Sequence, residues 1–179
     1  GTPEVMVDFT IPDTVFANVT TALRAGVHVV VGTTGFTDDQ VAEIRALAEG
    51  GTANALIAPN FAVGAVLMMR FAAEASRHMP TAEIIELHHD RKLDAPSGTA
   101  LGIKAAMERA GYDRKIDVSS SRAGHVPGIH EVAFDGPSET ITLTHNVRDR
   151  GTFARGALTA ANWVKGRRGW FTMHDVLGI

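Results

Sequence analysis

The chain of 179 residues has no cysteine. Disulfides, thiolate nucleophiles and Cys-ligated zinc are therefore excluded, and a reducing, cytoplasmic setting is expected. No apolar run approaches the roughly 20 residues that a membrane-spanning helix needs, and no signal-peptide pattern is present. A membrane partner is not expected. Nor is there an excess of positive charge. Lys and Arg number 17 against 20 Asp and Glu, a formal net charge of −3, which argues against general nucleic-acid binding. The Gly-x-Ser-x-Gly elbow of serine hydrolases is missing, as is a helical His-x-x-x-His pair, so no metal site is expected. Repeats and low-complexity tracts are absent too. The chain opens at Gly1 without an initiator Met and passes almost at once into a strand pattern, the expected look of a protein whose beginning lies elsewhere.

What is present is ordinary globular composition, 45% hydrophobic and 21% charged, enough for a sizeable core. The first half alternates short apolar runs with amphipathic stretches, the pattern of βαβ units and a parallel sheet. Val5–Phe9 reads as a buried strand. Asp13 is placed to cap a helix to about Ala25, where Gly26 stops it. Val27–Val31 is a second strand, Thr37–Gln40 a capping box for a helix through Ala48, and Ala55–Ile57 a third strand. A helix over Val63–Arg77 is apolar nearly all round, which predicts burial. Ala82–Leu87 reads as a strand, and Ser97 caps a helix through Ala110. Strand patterns over Ile116–Ser121, His130–Phe134 and Thr140–Thr144 have few helical residues between them, predicting a mixed or antiparallel sheet. The alternation in Thr140–Thr144 predicts one buried face. A helix over Phe153–Val164 and a short segment, Trp170–Ile179, close the chain. Two domains are expected, 1–61 with 151–179 and 62–150.

The densest run of reactive side chains is Glu86–Ala100, from the end of a strand to the start of a helix, where ligand loops of α/β proteins sit. It holds the imidazoles of His88 and His89, the ammonium of Lys92 and a Ser97-Gly98-Thr99 helix entry. Imidazole is a favoured general acid/base, yet paired loop histidines are more often surface or hydrogen-bonded residues than catalysts. Likewise, Ser97-Gly98-Thr99 is a plain cap or, with the helix dipole behind it, a carboxylate or phosphate site. Lys92 alone is a solvated charge. Their joint occurrence is what favours chemistry. Two further groups, Gly32-Thr33-Thr34-Gly35 and Ala58-Pro59-Asn60-Phe61, follow parallel strands. They are either tight βα turns or dinucleotide contacts offering close backbone approach, small hydroxyl donors and the Asn60 amide.

Together these residues resemble the 4-hydroxy-tetrahydrodipicolinate (dihydrodipicolinate) reductase family. The family segment Glu-x-His-His-x-x-Lys-x-Asp-Ala-Pro-Ser-Gly-Thr-Ala is matched at every fixed position from Glu86 to Ala100. The likeness extends to Val7–Thr10, Gly32–Gly35, Asn60-Phe61, Arg122-Ala123-Gly124, Thr144-His145, Phe153-Ala154 and Asp175–Leu177. It implies an α/β chain: a parallel Rossmann-like nucleotide-binding domain, incomplete at its N-terminus, plus an α+β substrate domain with a mixed sheet that mediates a homotetramer. The implied reaction is reduction of a cyclic dicarboxylate with NADPH or NADH in lysine and diaminopimelate biosynthesis. His88 would then be the acid/base and Lys92 the proton donor; His89 would contact substrate, and Gly98 and Thr99 would hold a carboxylate. Gly32, Thr33, Thr34, Ala58, Pro59, Asn60 and Phe61 would lie along the nicotinamide end of the cofactor.

Two departures stand out. The family's Gly-x-x-Gly-x-x-Gly pyrophosphate turn, with the residue that selects NADH or NADPH, does not occur, and Tyr112–Lys115 replace a longer loop of many members. Another dehydrogenase of similar layout is one alternative; a catalytically silent dicarboxylate-binding or oligomerisation module is the other.

Overall fold

Three aliphatic runs, Val5–Asp8 (β1), His28–Val31 (β2) and Ala55–Ile57 (β3), lie side by side as parallel strands in the computed structural model, which describes residues 3–179. Trp170–Phe171 (β8) adds to β3, also parallel, giving the order β1-β2-β3-β8. This last strand was not foreseen, since two residues carry no alternation to read. Both crossovers on the first three strands are helices, as a parallel sheet requires. In the first, Pro12–Arg24 (α1), Asp13 is not the cap. Ile11 occupies the N-cap position without a side-chain bond and Pro12 starts the helix. Asp13 instead lies in the first turn, where its charge favours the helix dipole. Gly26, at φ 76°, follows the helix end. The second, Asp38–Gly50 (α2), has both bonds of the Thr37–Gln40 capping box.

The described residues up to Ala62 form one compact unit together with Phe153–Ile179. Its core gathers Val15, Val19, Leu23, Val29, Val31, Ile44 and Ala55. The C-terminal segment is held by the buried side chain of Asn54, whose amide donates to the carbonyls of Val164 (2.6 Å) and Arg167 (2.8 Å). Helix Gly151–Trp163 (α5) approaches the Ala58–Phe61 turn so closely that a Cβ on Gly156 would collide with the Phe61 carbonyl oxygen.

Val63–Thr152 form the second unit. Its sheet runs β5-β4-β6-β7, from Ile116–Arg122 (β5), Thr81–His88 (β4), Ile129–Asp135 (β6) and Thr140–Asn146 (β7). β4 is parallel to β5 and antiparallel to β6, so the sheet is mixed. Helices Val63–Ser76 (α3) and Gly98–Arg109 (α4) supply Met68, Met69, Ala72, Ile103 and Met107 to a core shared with Ile84, Val132 and Phe134.

Two expectations change here. Helix α3 is not buried all round: Phe71 remains 52% exposed, because a helix packed on a sheet and one neighbour keeps an open side. Strand β7 does not bury a full face either. It is an edge strand, and Ile141 is 40% exposed while Leu143 is only half-buried. The short link after α4 is ordered by Tyr112 and Arg114, which both donate to the Pro80 carbonyl, at 3.2 and 2.6 Å. Among the described residues no helix is long and apolar enough to cross a membrane.

The Gly156 contact is with backbone, so no rotamer change relieves it. Gly156→Ala is expected to cost about 1–3 kcal/mol of stability, as overpacking does, read from the urea midpoint at constant m.

Candidate active site

Successive side chains of a strand alternate faces. In β4 this puts Ala82, Ile84, Glu86 and His88 on the buried face, and the strand runs one residue further than its sequence pattern, taking His88 out of the loop. A fully buried glutamate is costly unless it is paired. Arg122 supplies the partner. It lies opposite His88 in the β4–β5 register, and its Nη1 and Nη2 donate to the two Glu86 carboxylate oxygens at 2.9 and 2.7 Å. The Ser97 backbone N–H adds a third bond at 3.2 Å, and His88 Nδ1 hydrogen-bonds the same carboxylate. Burial alone would push the Glu86 carboxyl up, but bonds from Arg122, Ser120 and His88 hold it down to about 2.

His88 is itself pushed below the usual imidazole range. Burial is the main cause and the charges of Lys92 and Arg122 add to it, while Glu86 pulls the other way. Its ring meets His130 edge-on, with centroids 5.0 Å apart. His130 is lowered to about 4, chiefly by burial and then by His88. Ser97 Oγ accepts from Ala100 N at 3.2 Å and so caps α4, and it also contacts His130 Nε2 at 2.9 Å.

The loop after β4 carries the remaining candidates. His89 Nε2 lies 2.9 Å from Arg150 Nη2. Guanidinium only donates, so this nitrogen accepts. Lys92 Nζ pairs with Asp94 at 2.6 Å, its side chain 22% exposed. Gly98 opens α4, with no other part of the chain beyond its neighbours and its own helix backbone within 4 Å of where a Cβ would stand, and Thr99 follows, half-buried. Thus Glu86, His88, Ser97, Arg122 and His130 form one hydrogen-bonded or ring-packed group, with Lys92 close enough for His88 to feel its charge.

In the first unit, Gly32, Thr33 and Thr34 follow β2, and Ala58–Phe61 follow β3, both at C-terminal strand ends. Thr33 is buried. Its hydroxyl turns inward to Asp8 (3.3 Å) and the Thr10 carbonyl (3.2 Å), not outward as a donor. Thr34 and Pro59 are exposed, whereas Ala58 and Phe61 are buried. Asn60 Oδ1 accepts from Ala62 N at 2.8 Å, closing the turn. A Cβ on Gly32 would run into the Phe9 ring where it stands, packed 5.5 Å from Phe61. Asp8, 4% exposed, organises these loops by accepting from Thr10, Asn18 and Thr33. Burial would raise its carboxyl; those bonds bring it below the ordinary carboxylate value.

Glu86, His88 and His130 bring ligand atoms within 4.8 Å of one another. A metal there would compete with Arg122 for Glu86 and stand beside a fixed positive charge, so the donor set suits a hydrogen-bonded network better than a cation. Sequence reasoning gave no role to Glu86, Arg122, His130, Arg150 or Asp8. For Glu86 a signal existed: it shares the inward face of β4 with Ile84. The others depend on pairings between distant segments.

Arg122→Met would leave the Glu86 charge buried without its partner. A loss of about 3–5 kcal/mol is expected, measured by urea unfolding at pH 7. In the unsubstituted protein, the ionised Glu86 contributes fully above its ordinary 4.5, and that contribution is lost as pH falls towards about 2. Stability should therefore decline over that acid window.

Comparison with known proteins follows the same division of the chain. Residues 1–61 match the family model for the N-terminus of dihydrodipicolinate reductase, and residues 64–177 match that for its C-terminus. The 4-hydroxy-tetrahydrodipicolinate reductase of Desulfitobacterium hafniense is 42% identical over 177 residues, covering 88% of this chain and 66% of the relative. That of Listeria monocytogenes is 41% identical over 183 residues, covering 91% and 70%. The chain thus spans about two thirds of the length of these curated relatives. A dipicolinate-bound dihydrodipicolinate reductase from Paenisporosarcina superposes with a TM-score of 0.84 at 35% identity, covering 95% of this chain and 72% of the other.

Proposed function

Because this chain belongs to the dihydrodipicolinate reductase family, we propose that it carries out the NAD(P)H-dependent reduction of 4-hydroxy-tetrahydrodipicolinate to tetrahydrodipicolinate, in lysine and diaminopimelate biosynthesis. One observation carries this reading: a buried carboxylate–imidazole pair, Glu86–His88, ends a strand whose next loop leads through Lys92 to the open helix start at Gly98.

Hydride addition to carbon requires a proton delivered nearby, and a positioned imidazole or ammonium delivers it. His88 serves as the acid/base and Lys92 as the proton donor. The positive end of α4, at Gly98 and Thr99, takes a substrate carboxylate, and His89, steadied by Arg150, contacts the substrate. A small cyclic dicarboxylate suits this cationic surrounding, and the dipicolinate-bound relative supports that choice.

The nicotinamide ring, when bound, supplies the hydride. C-terminal ends of parallel strands are where dinucleotides bind, and Gly32–Thr34 and Ala58–Phe61 follow two such ends. Gly32, Thr33, Thr34 and Ala58–Phe61 would line that end, Thr33 acting through its hold on the loop. Either NADH or NADPH is compatible with these residues. A cytoplasmic location accords with a cysteine-free chain.

The solvent-facing side of the mixed sheet carries Ile85, Leu87 and Ala133 among Thr and Glu residues, with Ile85 39% exposed. Apolar side chains exposed on a sheet face favour self-association, and a homotetramer through this face is the corresponding assembly. Sedimentation should then show a tetramer that Ile85→Lys dissociates; a monomer before substitution would refute it.

In a second reading the chain is a dicarboxylate-binding module, resting on the same open helix start at Gly98. Calorimetry separates the two. Heat on adding both NADH or NADPH and pyridine-2,6-dicarboxylate supports the reductase, and heat with the dicarboxylate alone supports the module. For the reductase, Lys92→Ala and His88→Ala should each lower turnover by about 10²–10⁴-fold, Lys92→Ala with little change in thermal midpoint. Retained turnover in both would sink the assignment.

A further inference from the structure

We propose that Glu86, clamped by Arg122, is the positioning residue that keeps the His88 proton on Nδ1 and leaves Nε2 as the nitrogen that exchanges protons. This rests on the reading of His88 as the acid/base, but its structural content stands apart from turnover.

The direction of the Glu86–His88 bond follows from the other partners of the carboxylate. One oxygen accepts from Arg122 Nη2 at 2.7 Å and from the Ser97 N–H at 3.2 Å. The other accepts from Arg122 Nη1 at 2.9 Å. Guanidinium and amide nitrogens cannot accept, so all three bonds point at the carboxylate. A carboxylate facing three donors is ionised and has no proton to give, and the hydrogen shared with His88 therefore belongs to the imidazole Nδ1. A neutral imidazole has only one N–H. Nε2 is consequently the lone-pair nitrogen.

That nitrogen is also the accessible one. A Cβ at Gly128 would stand 3.0 Å from Nε2, so the glycine, opposite the end of β4, keeps this side of the ring clear. His130 meets the ring edge-on and holds no hydrogen bond to it. In the reaction Nε2 takes a proton from the neighbouring Lys92 ammonium, which solvent recharges, and the resulting imidazolium is stabilised by Glu86 through Nδ1. The Nε2–H bond then breaks as a C–H bond forms on the substrate; the second C–H bond would be made by the hydride, with its electron pair, that a bound nicotinamide supplies on being oxidised. His88 returns neutral, its Nδ1 proton never having moved.

Arg122 decides the outcome. Without its two donors the buried carboxyl would sooner carry a proton, donate it to Nδ1 and push the imidazole proton to Nε2, the nitrogen that must be empty to accept. Glu86→Gln tests the same point more gently. Its oxygen is held by Arg122 Nη2 and the Ser97 N–H, which turns its NH₂ group toward Nδ1 as a donor.

The experiment uses the protein labelled with ¹⁵N-histidine, with His88 signals identified by their loss in His88→Gln. Long-range ¹H–¹⁵N spectra at pH 8 report which nitrogen is protonated. The expected result is a protonated Nδ1 and a bare Nε2 in the unsubstituted protein, moving toward a protonated Nε2 in Glu86→Gln. Turnover should fall by about 10²–10³-fold in Glu86→Gln, with KM for the dicarboxylate changed only a few-fold. Gly128→Ala should keep the Nδ1 proton yet lower turnover. A protonated Nε2 in the unsubstituted protein overturns the proposal even if Glu86→Gln fails to fold, and so does a Glu86→Gln protein with unchanged turnover. Bare Nε2 in a protein that does not reduce 4-hydroxy-tetrahydrodipicolinate upholds the tautomer and counts against the reductase reading instead.

Discussion

An ionised carboxylate inside a protein costs several kcal/mol unless its charge is met, and the Arg122–Glu86 pair is where this chain meets that constraint. Much of the second unit is arranged around it. Strand β5 must run parallel to β4 in the observed register for Arg122 to stand opposite His88 and reach back to Glu86. Helix α4 must begin at Ser97 for its backbone N–H to reach the same carboxylate. The loop between them is drawn in as well, because Arg122 Nη2 also donates to the Asp94 carbonyl at 2.6 Å. Sheet, loop and helix start thus converge on one ion pair. His88 takes its orientation from that convergence together with its edge-on packing against His130.

The neighbouring polar groups follow a different logic. His130 and Ser97 are neutral and buried, and their bond joins the sheet to the cap of α4. Lys92 and Asp94 are paired near solvent, where an ion pair contributes little to stability but keeps an ammonium beside the imidazole. In the first unit Asp8 has the organising role that Glu86 has in the second. Its bonds to Thr10, Asn18 and Thr33 use up two hydroxyls and an amide that composition alone would have offered to a ligand.

Most strands and helices were legible because their signals are local. The Thr37–Gln40 capping box, the Ser97 cap and the aliphatic runs of β1 to β3 need only a few consecutive residues to be read. Asp13 misled because Pro12 fixes the helix start one residue earlier. Strand β8 was invisible for want of length. Burial was harder to read than periodicity: Phe71 and Ile141 sit at correct helical and strand positions, but whether a neighbour covers them is a property of the assembled sheet. The site divides similarly. Segment 86–100 was conspicuous as a cluster, whereas the parts that polarise it, Arg122, His130 and Arg150, come from β5, β6 and the loop before α5. Their relevance rests on register, and a single sequence does not state which strands pair.

The last strand of the first sheet and the residues that Asn54 grips lie at the end of the chain, beyond the whole second unit. During synthesis from the N-terminus, β3 therefore emerges long before its outer neighbour β8 exists. Its edge hydrogen bonds and the Asn54 amide stay unfilled until the ribosome has delivered the remaining chain. The middle unit contains all its own strands and can close first. An unpaired edge of aliphatic residues is an invitation to pair with another nascent chain. Completion of the first sheet thus waits, through β3, on residues made after the whole second unit, although β3 is a strand of only three residues, flanked in the finished sheet by β2 and β8.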